Sequence, residues 1–131
     1  MEWEYLVEKA IKAKENAYVP YSEFRVGAAV LTDSGKVFVG CNVENASYGA
    51  AICAERTAVV KAVSEGDTKI KAIAITSDSQ DYTFPCGICR QVIAEFCDEE
   101  TQVICSNKNG KYVRYYVKDI LPHAFTKKDL L

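Results

Sequence analysis

Two short stretches of this chain combine residues able to do metal-assisted proton chemistry. They are Cys53-Ala54-Glu55 and Pro85-Cys86-Gly87-Ile88-Cys89. Cys86 and Cys89 stand three apart at the start of a predicted helix, so their side chains share a face. Cys53 opens another predicted helix. Helix N-termini favour thiolates, because unpaired N–H groups and the positive end of the helix dipole sit there. Three thiolates bind Zn²⁺ tetrahedrally and leave the fourth position for water, the feature that separates a catalytic zinc site from a closed structural one. The spacing alone also fits a redox Cys-x-x-Cys pair, or a four-cysteine site completed by Cys41, Cys97 or Cys105. Glu55 shifts the balance. A carboxylate two residues past a ligand has no task in either alternative, whereas it can take the proton of zinc-bound water and hand it to a substrate.

Three thiolates on one Zn²⁺ leave the site with a net negative charge, a poor activator of water unless nearby donors offset it. Arg56 follows Glu55 and Arg90 follows Cys89. Either guanidinium could hydrogen-bond ligand sulfurs; Arg56 is the expected one, against the alternative of a solvated surface arginine.

These groups must be positioned by a fold. Trp3, Leu6, Val7, Ala10 and Ile11 recur at helical spacing, and Val19-Pro20-Tyr21-Ser22 is expected to stop that helix. Residues 24–32 and 37–43 are β-rich runs around Asp33-Ser34-Gly35-Lys36, a hairpin pattern. A polar loop over 44–49 leads to a helix over 53–64 with Gly66 as its cap. A strand over 70–76 and a helix over 86–97, with Pro85 at its start, follow. Strands over 102–105 and 112–117 and a short segment carrying Leu121-Pro122-His123-Ala124-Phe125 complete the order α-β-β-α-β-α-β-β-α. The central strand–helix–strand unit calls for a mixed sheet with helices on its faces.

The 131 residues, 49% of them hydrophobic, fit one domain spanning 1–131. A net charge of −2 and a pI near 5.5 give no basic stripe for nucleic acid. No apolar run approaches a membrane span, and Met1-Glu2-Trp3-Glu4-Tyr5 lacks the pattern of a secretory signal. Six cysteines in that context suggest reduced thiols or metal ligands, and a cytoplasmic protein.

The Cys-x-Glu and Pro-Cys-x-x-Cys pair matches the general signature of zinc deaminases, in which Cys can replace His as the first ligand. Beyond that signature, the chain resembles the small homotetrameric zinc-dependent cytidine deaminases over nearly its whole length. The resemblance rests on Phe24-Arg25-Val26-Gly27-Ala28-Ala29, Asn42-Val43-Glu44-Asn45-Ala46-Ser47-Tyr48, Cys53-Ala54-Glu55-Arg56, Pro85-Cys86-Gly87-Ile88-Cys89-Arg90-Gln91 and Leu121-Pro122-His123-Ala124-Phe125.

The resemblance implies a three-layer α-β-α fold with a mixed five-stranded sheet, one Zn²⁺ per subunit on Cys53, Cys86 and Cys89, and Glu55 as proton shuttle. It implies a substrate site in which Asn42 and Glu44 bind the ribose, Phe24 packs on the pyrimidine and Ala54 takes part. Phe125 and the stretch from Ala46 to Tyr48 would serve sites of neighbouring subunits in a homotetramer. The implied reaction is hydrolysis of free cytidine and deoxycytidine to uridine and deoxyuridine plus ammonia, a step of pyrimidine salvage, by zinc-bound hydroxide attacking C4. The partners are then a small nucleoside and other copies of the chain, with neither nucleic acid nor membrane. Deamination of a cytosine-nucleoside antibiotic such as blasticidin S, deamination of bases within nucleic acid, and a structural-zinc interaction domain are the competing readings. By residue chemistry alone, Asn42 and Glu44 point the same way from a strand end but could be plain loop residues. Phe24, opening a strand, reads as core rather than as a ring platform, and His123, lacking metal-type spacing, reads as structural.

Overall fold

In the computed structural model, which describes residues 2–131, the first apolar periodicity becomes α1 (Glu4–Lys14), with Leu6, Val7, Ala10 and Ala13 buried on one side. It ends before Pro20. Tyr18 has already entered an isolated bridge with Val43, so that pairing and not the proline marks the change of direction. The following elements are β1 (Val26–Thr32), β2 (Val37–Cys41), α2 (Ala54–Ser64), β3 (Ile70–Ser77), α3 (Gly87–Glu95), β4 (Gln102–Ser106), β5 (Tyr112–Tyr116) and α4 (Val117–Ile120). The last helix precedes the Leu121–Phe125 motif and takes Val117 from the end of the expected strand. Gly66 follows α2 with φ +94, the left-handed conformation of a C-terminal cap.

The five strands lie in the order β2-β1-β3-β4-β5. β3 and β4 run parallel, joined through α3, and the other neighbours are antiparallel. Successive side chains of a strand face opposite ways. Ala29 therefore joins Leu6, Val7, Ala10 and Ile104 under α1, while Ala28 and Val30 join Ala58, Val59 and Ile93 under α2 and α3. The central β3 is covered on both sides, so Ala72, Ile73, Ala74 and Ile75 are all fully buried and no polar alternation remains. The architecture is the expected three-layer α-β-α arrangement around a mixed five-stranded sheet. Among the described residues, no helix is long and apolar enough to cross a membrane.

The helices approach the sheet closely at two glycines. A Cβ on Gly27 would lie 2.1 Å from the Ala10 carbonyl oxygen of α1, and one on Gly40 would lie 2.6 Å from the Ala58 nitrogen of α2. Both obstacles are backbone, which cannot swing aside. Gly27→Ala is therefore expected to destabilise the protein by about 3 kcal/mol, the upper range for overpacking. Denaturant unfolding measures it, and a change below about 1 kcal/mol would show that α1 can lift off the sheet without cost.

Candidate active site

The two helices on the same face of the sheet deliver the metal-type residues from their N-terminal ends. Cys53 is the N-cap of α2 and Cys86 the N-cap of α3, both with extended backbone, and Cys89 lies in the first turn of α3. Each helix starts one residue later than the sequence suggested, which puts both cysteines at caps rather than inside the helices. The three sulfurs lie within 4.8 Å of one another, and Cys53 Sγ is 3.9 Å from Cys86 Sγ. Tetrahedral zinc with Zn–S bonds of about 2.3 Å separates its sulfurs by about 3.8 Å. The donor set therefore fits zinc with little movement. Among the described residues no fourth His, Cys, Asp or Glu atom completes the group, so a four-coordinate ion held there would have a position open to water. Cys105, buried in β4, has its thiol pushed up to about 12 by burial and stands outside the group. Cys41 and Cys97 also lie outside it.

Charge is distributed unevenly among these thiols. Cys53 is brought down to about 5, first by the Cys89 thiol donating to it and further by Arg56. Cys89 is held up as the protonated partner in that same hydrogen bond, with burial adding to it. Glu55 sits in the first turn of α2 and is only 4% exposed. Burial pushes its carboxyl up to about 7, and the negative charge on Cys53 pushes in the same direction. A buried carboxyl poised near neutrality can both accept and release a proton there.

The arginines separate cleanly. Arg56 Nη2 lies 3.9 Å from Cys53 Sγ and 3.4 Å from the Ala51 carbonyl oxygen. Its buried Nε has no hydrogen-bond partner among the described residues. Arg90 instead donates to the carbonyl oxygens of Pro85 (2.7 Å) and Ile120 (2.8 Å), tying α3 to the C-terminal segment. Arg56→Ala is expected to lower zinc affinity roughly 10–100-fold, the usual cost of losing a donor that supports a ligand. Competition with a chromophoric chelator measures it, and unchanged affinity would leave Arg56 with no part in holding the metal.

A second group of residues gathers around the 42–44 segment. Val43 forms an antiparallel bridge with Ile52, one residue before Cys53, so the strand end that carries Asn42 and Glu44 pairs with the chain entering α2. The Asn42 amide is fixed at both ends: its Oδ1 accepts from Val26 N at 2.9 Å and its Nδ2 donates to the Phe24 carbonyl at 3.0 Å. Tyr21, Ser22, Glu44, Asn45, Tyr48 and Ala51 line a cleft of about 310 Å³. Phe24 is 43% exposed, so the core reading given by its chemistry alone does not hold. Its neighbour Arg25 is anchored by paired hydrogen bonds to Asp78, which also takes the buried Lys14 at 3.1 Å. That lock ties the residue before β1 to the end of β3.

Ala54 is fully buried beneath the cap of α2. Ala46 is exposed, and Tyr48 and Phe125 are largely exposed, Tyr48 meeting the ring of Tyr21 edge-on at 6.2 Å between centroids. The Phe125 carbonyl accepts from Gln91 Nε2 at 2.8 Å. His123 is exposed, in the left-handed region with φ 56, and not in the sulfur group. Three participants escaped sequence reasoning: the Ser22 hydroxyl, the Tyr21 N–H and Gln91. Their partners lie more than twenty residues away in loops, where no periodicity signals a contact.

Residues 1–105 match the family model described as the cytidine and deoxycytidylate deaminase zinc-binding region. The chain belongs to that deaminase family. It is 49% identical over 130 residues to a cytidine deaminase of Halalkalibacterium halodurans, covering 99% of this chain and 98% of the relative. It is 40% identical over 130 residues to the cytidine deaminase of Mycobacterium tuberculosis, covering 99% and 94%. The crystal structure of cytidine deaminase from Burkholderia pseudomallei superimposes with a TM-score of 0.90 at 46% identity, over 95% of this chain and all of the other. As a member of the cytidine and deoxycytidylate deaminase family, the protein is a zinc-dependent hydrolase. The sulfur triad at the starts of α2 and α3 is where its chain can hold the metal.

Proposed function

We propose that the protein deaminates free cytidine and deoxycytidine hydrolytically, releasing uridine or deoxyuridine and ammonia, and that residues 1–131 form one catalytic domain. The observation that carries this reading is a buried carboxyl, Glu55, poised near 7 beside three convergent sulfurs that fit zinc. Cys53, Cys86 and Cys89 would hold zinc, which would supply Lewis acidity for activating water. Glu55 takes one proton from the attacking water and delivers it to N3 of the pyrimidine, as the water oxygen adds at C4. Glu55 then takes the remaining proton from the oxygen on C4 and relays it to the amino group, which leaves as ammonia while C4 becomes a carbonyl. No oxidant or reductant is needed. Arg56 offsets the thiolate charge at Cys53.

Asn42 and Glu44 hold the sugar, and the exposed Phe24 ring and buried Ala54 bound the base. The acidic balance of the chain favours a free nucleoside over a polynucleotide. The enzyme works as a homotetramer in pyrimidine salvage, with Phe125 and residues 46–48 reaching neighbouring sites. The large apolar exposure of Tyr48, Ile88 and Phe125 supports that assembly. The cytoplasm suits it, because thiol ligands must stay reduced.

Two assays test the reading together. Uridine should form from cytidine while a cytosine-bearing single-stranded oligonucleotide stays intact, and light scattering should give four times the 14.5 kDa chain mass. Conversion of the oligonucleotide and not the nucleoside would reverse the substrate assignment; a monomer with full activity would remove the shared sites.

A further inference from the structure

The loop between α1 and β1 is wired into the sugar-facing carboxylate more heavily than a connecting loop requires. Glu44 Oε1 accepts from Tyr21 N at 3.0 Å and from Ser22 N at 3.1 Å. Glu44 Oε2 accepts from the Ser22 hydroxyl. The same hydroxyl oxygen accepts from Phe24 N at 3.0 Å, and Glu44 N donates to the Tyr18 carbonyl at 2.8 Å. Between Ser22 and Phe24, Glu23 adopts φ 59, the left-handed region that a non-glycine residue enters at a cost of about 1 kcal/mol or more. That local cost is met by contacts that converge on a single carboxylate.

A carboxylate offers about four lone-pair positions. Two donors occupy Oε1 and one occupies Oε2, which leaves one acceptor position on Oε2, and Glu44 lines the cleft with Tyr21, Ser22 and Tyr48. The orientation of that last acceptor is set by where the Ser22 hydroxyl sits. The hydroxyl in turn is fixed by the amide of Phe24, the residue that carries the aromatic ring.

We propose that Ser22 is a positioning residue of the substrate site, a hinge pin whose hydroxyl fixes the Glu44 carboxylate and the Phe24 backbone relative to each other. It touches neither zinc nor the reacting carbon. It acts through Glu44, and the assignment rests on the deaminase reading of the site. The hydrogen bond from Ser22 is also the main reason that Glu44 titrates below the usual carboxylate range. With a lowered folded-state pKa, Glu44 stays ionised as pH falls. Losing the hydroxyl should raise that pKa and move the acid limb of kcat/KM to higher pH.

The test uses zinc-replete protein and the variants Ser22→Ala, Ser22→Thr, Glu44→Gln and the Ser22→Ala/Glu44→Gln double variant. Ser22→Ala is expected to raise KM for cytidine about tenfold while kcat falls by less than about threefold, the pattern of lost ground-state binding. Ser22→Thr, which keeps the hydroxyl, should restore KM. In the Glu44→Gln background the Ser22 change should add less than about twofold, because the two residues act as one unit. Equal KM effects in both backgrounds, or a normal KM in Ser22→Ala, would overturn the proposal. Carbon-13 NMR titration of the Glu44 carboxyl, assigned with Glu44→Gln, is independent of activity. An upward move in Ser22→Ala supports the positioning role and an unmoved curve refutes it, whatever the substrate. Wild-type protein inert toward cytidine would instead sink the deaminase reading alone.

Discussion

Glu55→Gln is expected to bind zinc as the wild type does and to deaminate cytidine at least roughly 10²–10⁴-fold more slowly, the contribution typical of a positioned proton carrier. Glutamine keeps the shape of the side chain in a site that is only 4% exposed, so packing at the start of α2 is retained. It cannot ionise, and it cannot take up a proton from water and return it to the ring and the leaving amine. The wild-type carboxyl is suited to the task because burial, aided by the charge at Cys53, brings it to about 7. Metal analysis beside single-turnover kinetics separates the two properties. A Gln variant with intact zinc and normal turnover would move proton transfer to another group. A variant that had lost its zinc would make Glu55 a support of the metal rather than a proton carrier.

The second large effect concerns the metal itself. Removing zinc with a strong chelator should abolish turnover, and adding it back should restore the rate. Cys89→Ala should lose activity that added zinc does not recover. Cys89 is fully buried in the first turn of α3, while Cys53 and Cys86 cap the two helices, so the bound ion ties α2 to α3. Binding to the folded state alone adds stability in proportion to the logarithm of saturation, about 2.7 kcal/mol at a hundredfold excess over Kd. Thermal unfolding of the stripped protein should therefore shift down by several degrees. Undiminished activity in metal-free protein would contradict a zinc-dependent reaction, and an unshifted Tm would mean that the cluster does not bridge the helices.

Local spacing carries local information, and its reach is visible residue by residue. The periodicity of Leu6, Val7 and Ala10 located α1, and the Asp33–Lys36 turn located the β1–β2 hairpin, because both are set by neighbours in the chain. The sulfur triad was legible for the same reason: Cys53, Cys86 and Cys89 are placed by helix starts, and a helix start has a sequence signature. The α1 periodicity stops at Ala13, one residue short of the end of the helix at Lys14; what it does not show is the parallel bridge of Tyr18 with Val43, a contact across the fold that turns the chain before Pro20. Phe24 read as core because an aromatic beside a strand usually is buried. It is 43% exposed instead, and the neighbouring Arg25 is held by Asp78, 53 residues along the chain. The choice between Arg56 and Arg90 likewise needed coordinates, since both follow a site residue directly and only one side chain turns toward sulfur.

Ammonia release from cytidine by purified, zinc-replete protein tests the central claim most directly. One ammonia per uridine formed, at a rate that saturates with cytidine, is the expected result. Folded, zinc-loaded protein that leaves cytidine unchanged would contradict it.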